Sequence, residues 1–234
     1  MTQLSCNPHT RSEDAKRIDK IREMVLHHFH TNSDQYSVVF TSGATAAIKL
    51  VGECFPWSSS SELRLLDDCH TSILGLRQFA IAKQASVNIC TWQSILASAK
   101  ENIDLRLCCF PAMSNFNGRK YPLSSIAALQ DDTSYVLLDA ASFVSTNNLD
   151  LSVYHPDFVA LSFYKMFGYP TGLGALLIRH GSGNILRKDY FGGGTVDLAL
   201  VRRNQHFSRK DVCQKFEDGT IDFLGEFQYL MHSC

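Results

Sequence analysis

The 234-residue sequence lacks any long apolar stretch; runs such as Ala175 to Ile178 are far too short to cross a bilayer. It also lacks an excess of charge of one sign. Twenty-two Lys and Arg stand against 23 Asp and Glu, a formal net charge of −1, and the basic residues are scattered. That offers nothing to a nucleic acid or an anionic membrane surface. No basic segment followed by an apolar one precedes Asn7, so a secretory signal is not expected and the cytoplasm is the expected compartment. Eight cysteines are present, but no two form a C-x-x-C pair and none stands at metal-knuckle spacing from a histidine. Cys90, Cys108 and Cys109 fall inside strand-like runs, where a free thiol acts as a small hydrophobe. His27 and His30 share a helix face without a visible third ligand, so an exposed face is expected there rather than a metal site.

What is present is the composition of an ordinary folded domain, 45% hydrophobic and 19% charged. Thr10 and Glu13 have capping-box spacing ahead of a helical pattern in which Ile18, Ile21, Val25 and Phe29 recur on one face. Strand-like and helical stretches then alternate. They run Tyr36–Thr41, Ala44–Cys54, Leu63–Asp67, Thr71–Ala80, Ser86–Cys90, Trp92–Lys100, Leu105–Phe110, Leu123–Gln130, Tyr135–Asp139 and Phe158–Phe163. This rhythm predicts an α/β fold with a mostly parallel sheet between helix layers, and the non-alternating apolar strands fit burial on both faces. Both ends read as cut: a further helical stretch begins near Ile221, and no second series of strands follows it.

Ligands of parallel α/β sheets gather where the strands end. Strand Tyr36–Thr41 runs into Ser42, Gly43, Ala44 and Thr45, which open a helix; small residues there let backbone N–H groups close on an anion, and Thr45 adds a hydroxyl. The same strand–turn–helix also forms without a phosphate. Tyr135–Leu138 ends at Asp139, a carboxylate that is costly to bury unless paired. It would suit either a cationic ring nitrogen or the cap of the next helix. Lys165 follows the apolar run Phe158 to Phe163 and is followed by Gly168, Gly172 and Gly174. Desolvation lowers a lysine's pKa and makes it nucleophilic enough for Schiff-base chemistry.

The segment from Ser162 through Lys165 to Ala175 resembles the lysine segment of the class V aminotransferase-like enzymes, and within them the cysteine-desulfurase-like domain of the molybdenum cofactor sulfurases. The likeness extends in order through Asn7-Pro8-His9-Thr10, the run from Phe40 to Ala47, Asp68-Cys69-His70-Thr71-Ser72 and the run from Ser114 to Gly118. It continues through Leu138 to Ser145, Tyr190 to Thr195, and Phe216 to Thr220. It implies the large domain of the pyridoxal-phosphate-dependent transferase fold type I, with a seven-stranded-type sheet. That domain would occupy about residues 1–200 of a unit covering 1–234, the remainder beginning a small C-terminal domain. Lys165 would carry pyridoxal phosphate as a Schiff base and shuttle the substrate's α-proton. Asp139 would pair the pyridine nitrogen, His70 stack on the ring, Ala141 pack on its other face and Asn115 contact the ring hydroxyl. Ala44, Thr45 and Ser162 would hold the phosphate. Gly193, Gly194 and Thr195 resemble the loop that reaches a partner subunit's cofactor, which implies a homodimer.

Tyr164 stands where many cysteine desulfurases have histidine, and Ser142 where many have glutamine; both departures favour the sulfurase branch. The implied reaction takes sulfur from L-cysteine, leaves alanine and an enzyme persulfide, and passes the sulfur to the molybdenum cofactor used by xanthine dehydrogenase and aldehyde oxidase. The family's substrate-carboxylate arginine, its persulfide cysteine and the domain that hands on the sulfur are expected beyond Cys234. Two other readings remain at this level: another class V lyase or aminotransferase, and a catalytically silent chain that binds cofactor or dimerises without turnover.

Overall fold

The computed structural model describes residues 13–97, 103–168 and 171–219. Helix α1 (Glu13–His28) leads into β1 (Tyr36–Thr41), α2 (Ala44–Cys54), β2 (Ser61–Leu66), α3 (Thr71–Leu74) and α4 (Arg77–Ala82). Then come β3 (Ser86–Cys90), α5 (Trp92–Leu96), β4 (Leu105–Pro111), α6 (Ile126–Leu129), β5 (Ser134–Asp139), β6 (Phe158–Ser162) and α7 (Phe163–Phe167). Strand β7 (Gly174–Arg179) closes the main sheet, and a small hairpin of β8 (Val196–Ala199) and β9 (His206–Ser208) precedes α8 (Val212–Phe216).

Seven strands form one sheet in the order β1-β7-β6-β5-β4-β2-β3. Strand β7 pairs antiparallel with both β1 and β6, while the remaining pairings are parallel. Six strands therefore point the same way, and the chain leaves β1, β2, β4, β5 and β6 along one edge. Alternate residues of each strand feed opposite faces. Val38 and Phe40 pack with Ile18, Ile21 and Val25 of α1 and with Phe29 just past its end, whereas Val39 packs with Ala47, Ile48 and Val51 of α2. The helical spacing read in α1 thus selects the buried stripe. Thr10 and the stretch from Ile221 to Leu230 lie outside the described residues.

Three details differ from the pattern-based expectation. The stretch 71–80 is two short helices, because the amides of Leu76, Gln78 and Phe79 bond three residues back, to Ile73, Gly75 and Leu76, instead of continuing a single α-helical ladder. The stretch 123–130 begins as a 3-10 turn, Leu123–Ser125, before α6. Strand β7 and the β8–β9 hairpin were not marked by the strand–helix rhythm, since β7 follows β6 after only a short helix and reverses direction.

Buried polar groups fasten the sheet away from the strand-end edge. Asp157 accepts hydrogen bonds from Val136 N (2.8 Å) and Ser182 Oγ (2.6 Å) and pairs with Arg179. Glu217, just past α8, takes both arms of the Arg22 guanidinium at 2.8 Å and accepts Phe40 N at 2.7 Å. That bidentate pair seats α8 on β1 and α1.

Candidate active site

At the common edge of the strands lies a cavity of about 320 Å³ lined by residues from five separate strand ends. Ala44 and Thr45 come from the turn after β1, His70 and Ser72 from that after β2, and Pro111, Met113 and Asn115 from the end of β4 and beyond. Asp139, Ala141 and Ser142 follow β5, and Ser162, Tyr164 and Lys165 follow β6. Every residue to which the sequence assigned a site role is here except Gly193, Gly194 and Thr195. A larger groove of about 550 Å³ between α1 and α7 shares none of these side chains and is lined mainly by apolar groups such as Ile21, Met24, Val25 and Phe29. The convergent polar groups, which are what a binding site needs, are in the smaller cavity.

The turn after β1 depends on glycine. Gly43 has φ 106°, a region that L side chains rarely adopt. A Cβ on Gly174, the first residue of β7, would come within 2.3 Å of Leu161 O and 2.5 Å of the Gly43 Cα. The two glycines therefore let the β1 turn lie down over the starts of β7 and α7. Ser162 Oγ accepts Ala44 N at 3.0 Å, joining the β6 end to the N-terminus of α2. Thr45 Oγ1 and Ser72 Oγ are 2.8 Å apart. The donor set is three hydroxyls, from Thr45, Ser72 and Ser162, around the positive end of an eleven-residue helix.

His70 is both a helix cap and a cavity wall. Its Nδ1 accepts Ser72 N at 3.2 Å and lies 3.0 Å from Ser72 Oγ. Ser72 thus links His70 to Thr45, a role the sequence pattern hid because a serine in the first turn of a helix reads as a helix starter. Ile48, Pro111 and Met113 also line the cavity unannounced.

Asp139 is only 7% exposed. Its Oδ1 accepts Ala141 N at 3.1 Å and so caps a turn; the helix expected after β5 does not form, residues 141–146 being turns. Burial pushes its carboxyl above the usual carboxylate range, while the Ala141 amide and then the positive charges of Lys165 and His70 pull it back. A buried carboxylate facing a cavity with acceptor capacity left over is the partner that a protonated pyridine nitrogen requires. Lys165 is half-buried rather than desolvated, and its Nζ reaches Asn115 Oδ1 at 3.4 Å. An amine, a buried carboxylate, an imidazole and a ring of hydroxyls at a helix N-terminus fit an aldehyde-bearing, phosphorylated pyridine.

Thr195 is placed elsewhere. It is buried, and its Oγ1 donates to Gly192 O at 2.8 Å at the base of the β8–β9 hairpin. Among the described thiols, burial pushes Cys54, Cys108 and Cys213 up to about 12, and it raises Cys69 and Cys109 as well.

Residues 3–226 match the family model described as aminotransferase class-V. The chain is 46% identical over 233 residues to molybdenum cofactor sulfurase 1 of Aedes aegypti, covering 94% of this chain and 30% of that protein. In structure it is similar to a cysteine desulfurase from Escherichia coli, with a TM-score of 0.79 and 20% identity over 97% of this chain and 62% of the other. It is also similar to a mutant of C-DES with glycine covalently linked to its PLP cofactor, with a TM-score of 0.75 and 18% identity over 93% and 61% of the two chains. The chain spans less than a third of the length of the curated relatives it matches.

Proposed function

Because the chain belongs to the class-V aminotransferase family, we propose that it is the cofactor-binding part of a pyridoxal-phosphate-dependent sulfurtransferase that takes sulfur from L-cysteine for the molybdenum cofactor. The observation that carries this reading is the convergence of Lys165, Asp139, His70 and Asn115 on one cavity at the strand-end edge. The likeness to molybdenum cofactor sulfurases favours that acceptor, and xanthine dehydrogenase and aldehyde oxidase are the proposed users of the sulfurated product.

When bound, pyridoxal phosphate supplies a covalent hold on the substrate amine and a sink for the electrons released at its α-carbon. The chain's own residues do the rest. Lys165 Nζ is the amine that fixes the cofactor and, once freed, accepts the proton from the substrate's α-carbon. Asp139 holds a proton on the ring nitrogen, for which its leftover acceptor capacity and low-dielectric setting are suited. His70, held by Ser72, would cover one ring face, and Ala141 would leave room at the other. Asn115, which reaches Lys165 Nζ, would meet the ring hydroxyl. Thr45, Ser72, Ser162 and the amides at the start of α2 take the phosphate.

The net reaction balances as L-cysteine plus an enzyme thiol giving alanine plus an enzyme persulfide. A thiol held near or above pKa 12 by burial is a poor nucleophile, so the five cysteines so perturbed are unsuited to accept the sulfur. The second substrate-binding part, including a carboxylate clamp and the reactive thiol, is assigned to sequence outside the described residues. A homodimer is part of this reading: the hairpin exposes Leu198, Val201 and Phe207 beside Gly193 and Gly194, a surface that suits a second copy.

The test is a titration of the purified chain with pyridoxal phosphate, followed by L-cysteine. A visible absorbance band that borohydride traps on Lys165, and that changes on adding L-cysteine, is expected. A chain that takes up no cofactor at millimolar concentration refutes the reading.

A further inference from the structure

We propose that Asp68 is a positioning residue, a clamp whose carboxylate sets the spacing between the loop bearing His70 and the loop bearing Asn115. This rests on the cofactor reading given above. The parallel ladder between β2 and β4 ends at the pair Leu65 and Cys109, before the chain reaches either His70 or Asn115. Beyond it, backbone pairing no longer holds the two strand ends together, and side chains take over. Asp68 Oδ1 accepts Ser114 Oγ at 2.8 Å, and Oδ2 accepts Tyr121 Oη at 2.8 Å. Both donors are buried, at 2% and 4% exposure, so each would be left without water if the carboxylate were removed.

Ser114 is the hub of the turn that presents Asn115. Its Oγ accepts Phe116 N at 3.2 Å and Asn117 N at 3.3 Å, and its backbone N and O bond Arg119 O at 2.8 Å and Gly118 N at 3.1 Å. A serine hydroxyl has one proton; spending it on Asp68 frees both lone pairs for the two amides. The carboxylate therefore fixes the direction of this hydroxyl, and through it the turn and the Asn115 side chain that meets Lys165. On the other side Asp68 stands two residues before His70, whose Nδ1 is held by Ser72. Tyr121 anchors the clamp, packed against Trp92 with ring centroids 4.9 Å apart and lying under the Arg119 guanidinium. Burial first, and then its bond to Asp68, push the Tyr121 hydroxyl up to about 12, so it remains a donor through neutral pH.

The test compares Asp68→Ala, Asp68→Asn and Ser114→Ala with the parent chain in two measurements. Amide hydrogen exchange of the protein without cofactor reads the clamp itself. Asp68→Ala should speed exchange roughly tenfold in both 69–75 and 114–118, the loss expected of one charge-assisted hydrogen bond. Ser114→Ala should do so at least in 114–118. The pH midpoint of the bound cofactor's visible absorbance then reads the consequence. Asp68→Ala and Ser114→Ala should each move it by roughly half a pH unit or more, and the double variant should move it no further than Asp68→Ala alone. Asp68→Asn keeps one acceptor for Ser114 and should restore the midpoint. For Asp68→Ala, faster exchange in only one of the two loops overturns the clamp, as does an unmoved midpoint accompanied by nothing but a lower melting temperature. If the parent chain develops no visible band, the cofactor reading fails instead, and the exchange data still decide whether Asp68 joins the two loops.

Discussion

Replacing Asp139 by asparagine should have opposite effects on the empty and the loaded protein. The side chain is buried, and the one hydrogen bond its carboxylate accepts among the described residues, from Ala141 N, can be kept by an amide oxygen. In the empty protein the carboxyl is raised by burial. A carboxyl whose folded pKa exceeds its unfolded value costs nothing below the unfolded pKa and its full cost above the folded one. Asp139→Asn should therefore be the more stable protein at neutral pH, read as a higher Tm. The gap should close as pH falls through the carboxylate range. In the loaded protein the variant loses a charge-assisted bond to the ring nitrogen, worth about 1.5–3 kcal/mol, or roughly a 10- to 150-fold loss in holding that proton. Exchange of the α-proton of L-alanine in deuterated water, followed by NMR with saturating cofactor, should slow by about two orders of magnitude. A variant that is less stable than the parent when empty and exchanges as fast when loaded would refute both halves, and would leave Asp139 as a cap on the turn at Ala141.

Lys165→Ala should keep the fold and lose both the visible band and the borohydride-trapped adduct; an adduct surviving on Lys49 or on Lys188, which is engaged with Asp218, would move the assignment. Gly174→Ala should lower Tm by several degrees and weaken cofactor uptake, because its Cβ would meet Leu161 O at 2.3 Å. Cys213→Ser should leave alanine release from L-cysteine unchanged in a version extended to the full length of the sulfurase relatives, since burial holds that thiol at about 12; loss of turnover, measured as alanine formed, would identify it as the sulfur acceptor.

The sheet was legible because its strands are short, apolar and separated by helical stretches. Tyr36–Thr41, Ala44–Cys54 and Ser86–Cys90 form elements with the limits their residue pattern suggests. Strand β7 was not legible, although Ala175 to Ile178 is as apolar as any other strand. Its reversal puts it between β1 and β6, and no local pattern encodes a partner some 130 residues away in sequence. The break between α3 and α4 was likewise invisible, since Gly75 adopts ordinary right-handed helical angles and the ladder fails only through its hydrogen-bond partners.

The site divides along the same line. Residues whose chemistry is conspicuous at a strand end, such as Lys165 and Asp139, announce themselves, because a charge following an apolar run needs a reason. Asp68 and Ser72 do not, because each is an ordinary residue for the start of a helix. What gives them weight is a pairing between strand ends far apart in sequence. Ser114 bonds Asp68 across 46 residues, and Ser72 meets Thr45 across 27. The groups that would contact a cofactor come from five separate strand ends, and parallel strands leave those ends without a shared hairpin to fix their spacing. Bridging side chains such as Asp68, Ser72 and Ser162 must therefore set it. The precision of this cavity rests on residues that touch no reacting atom as much as on Lys165 itself.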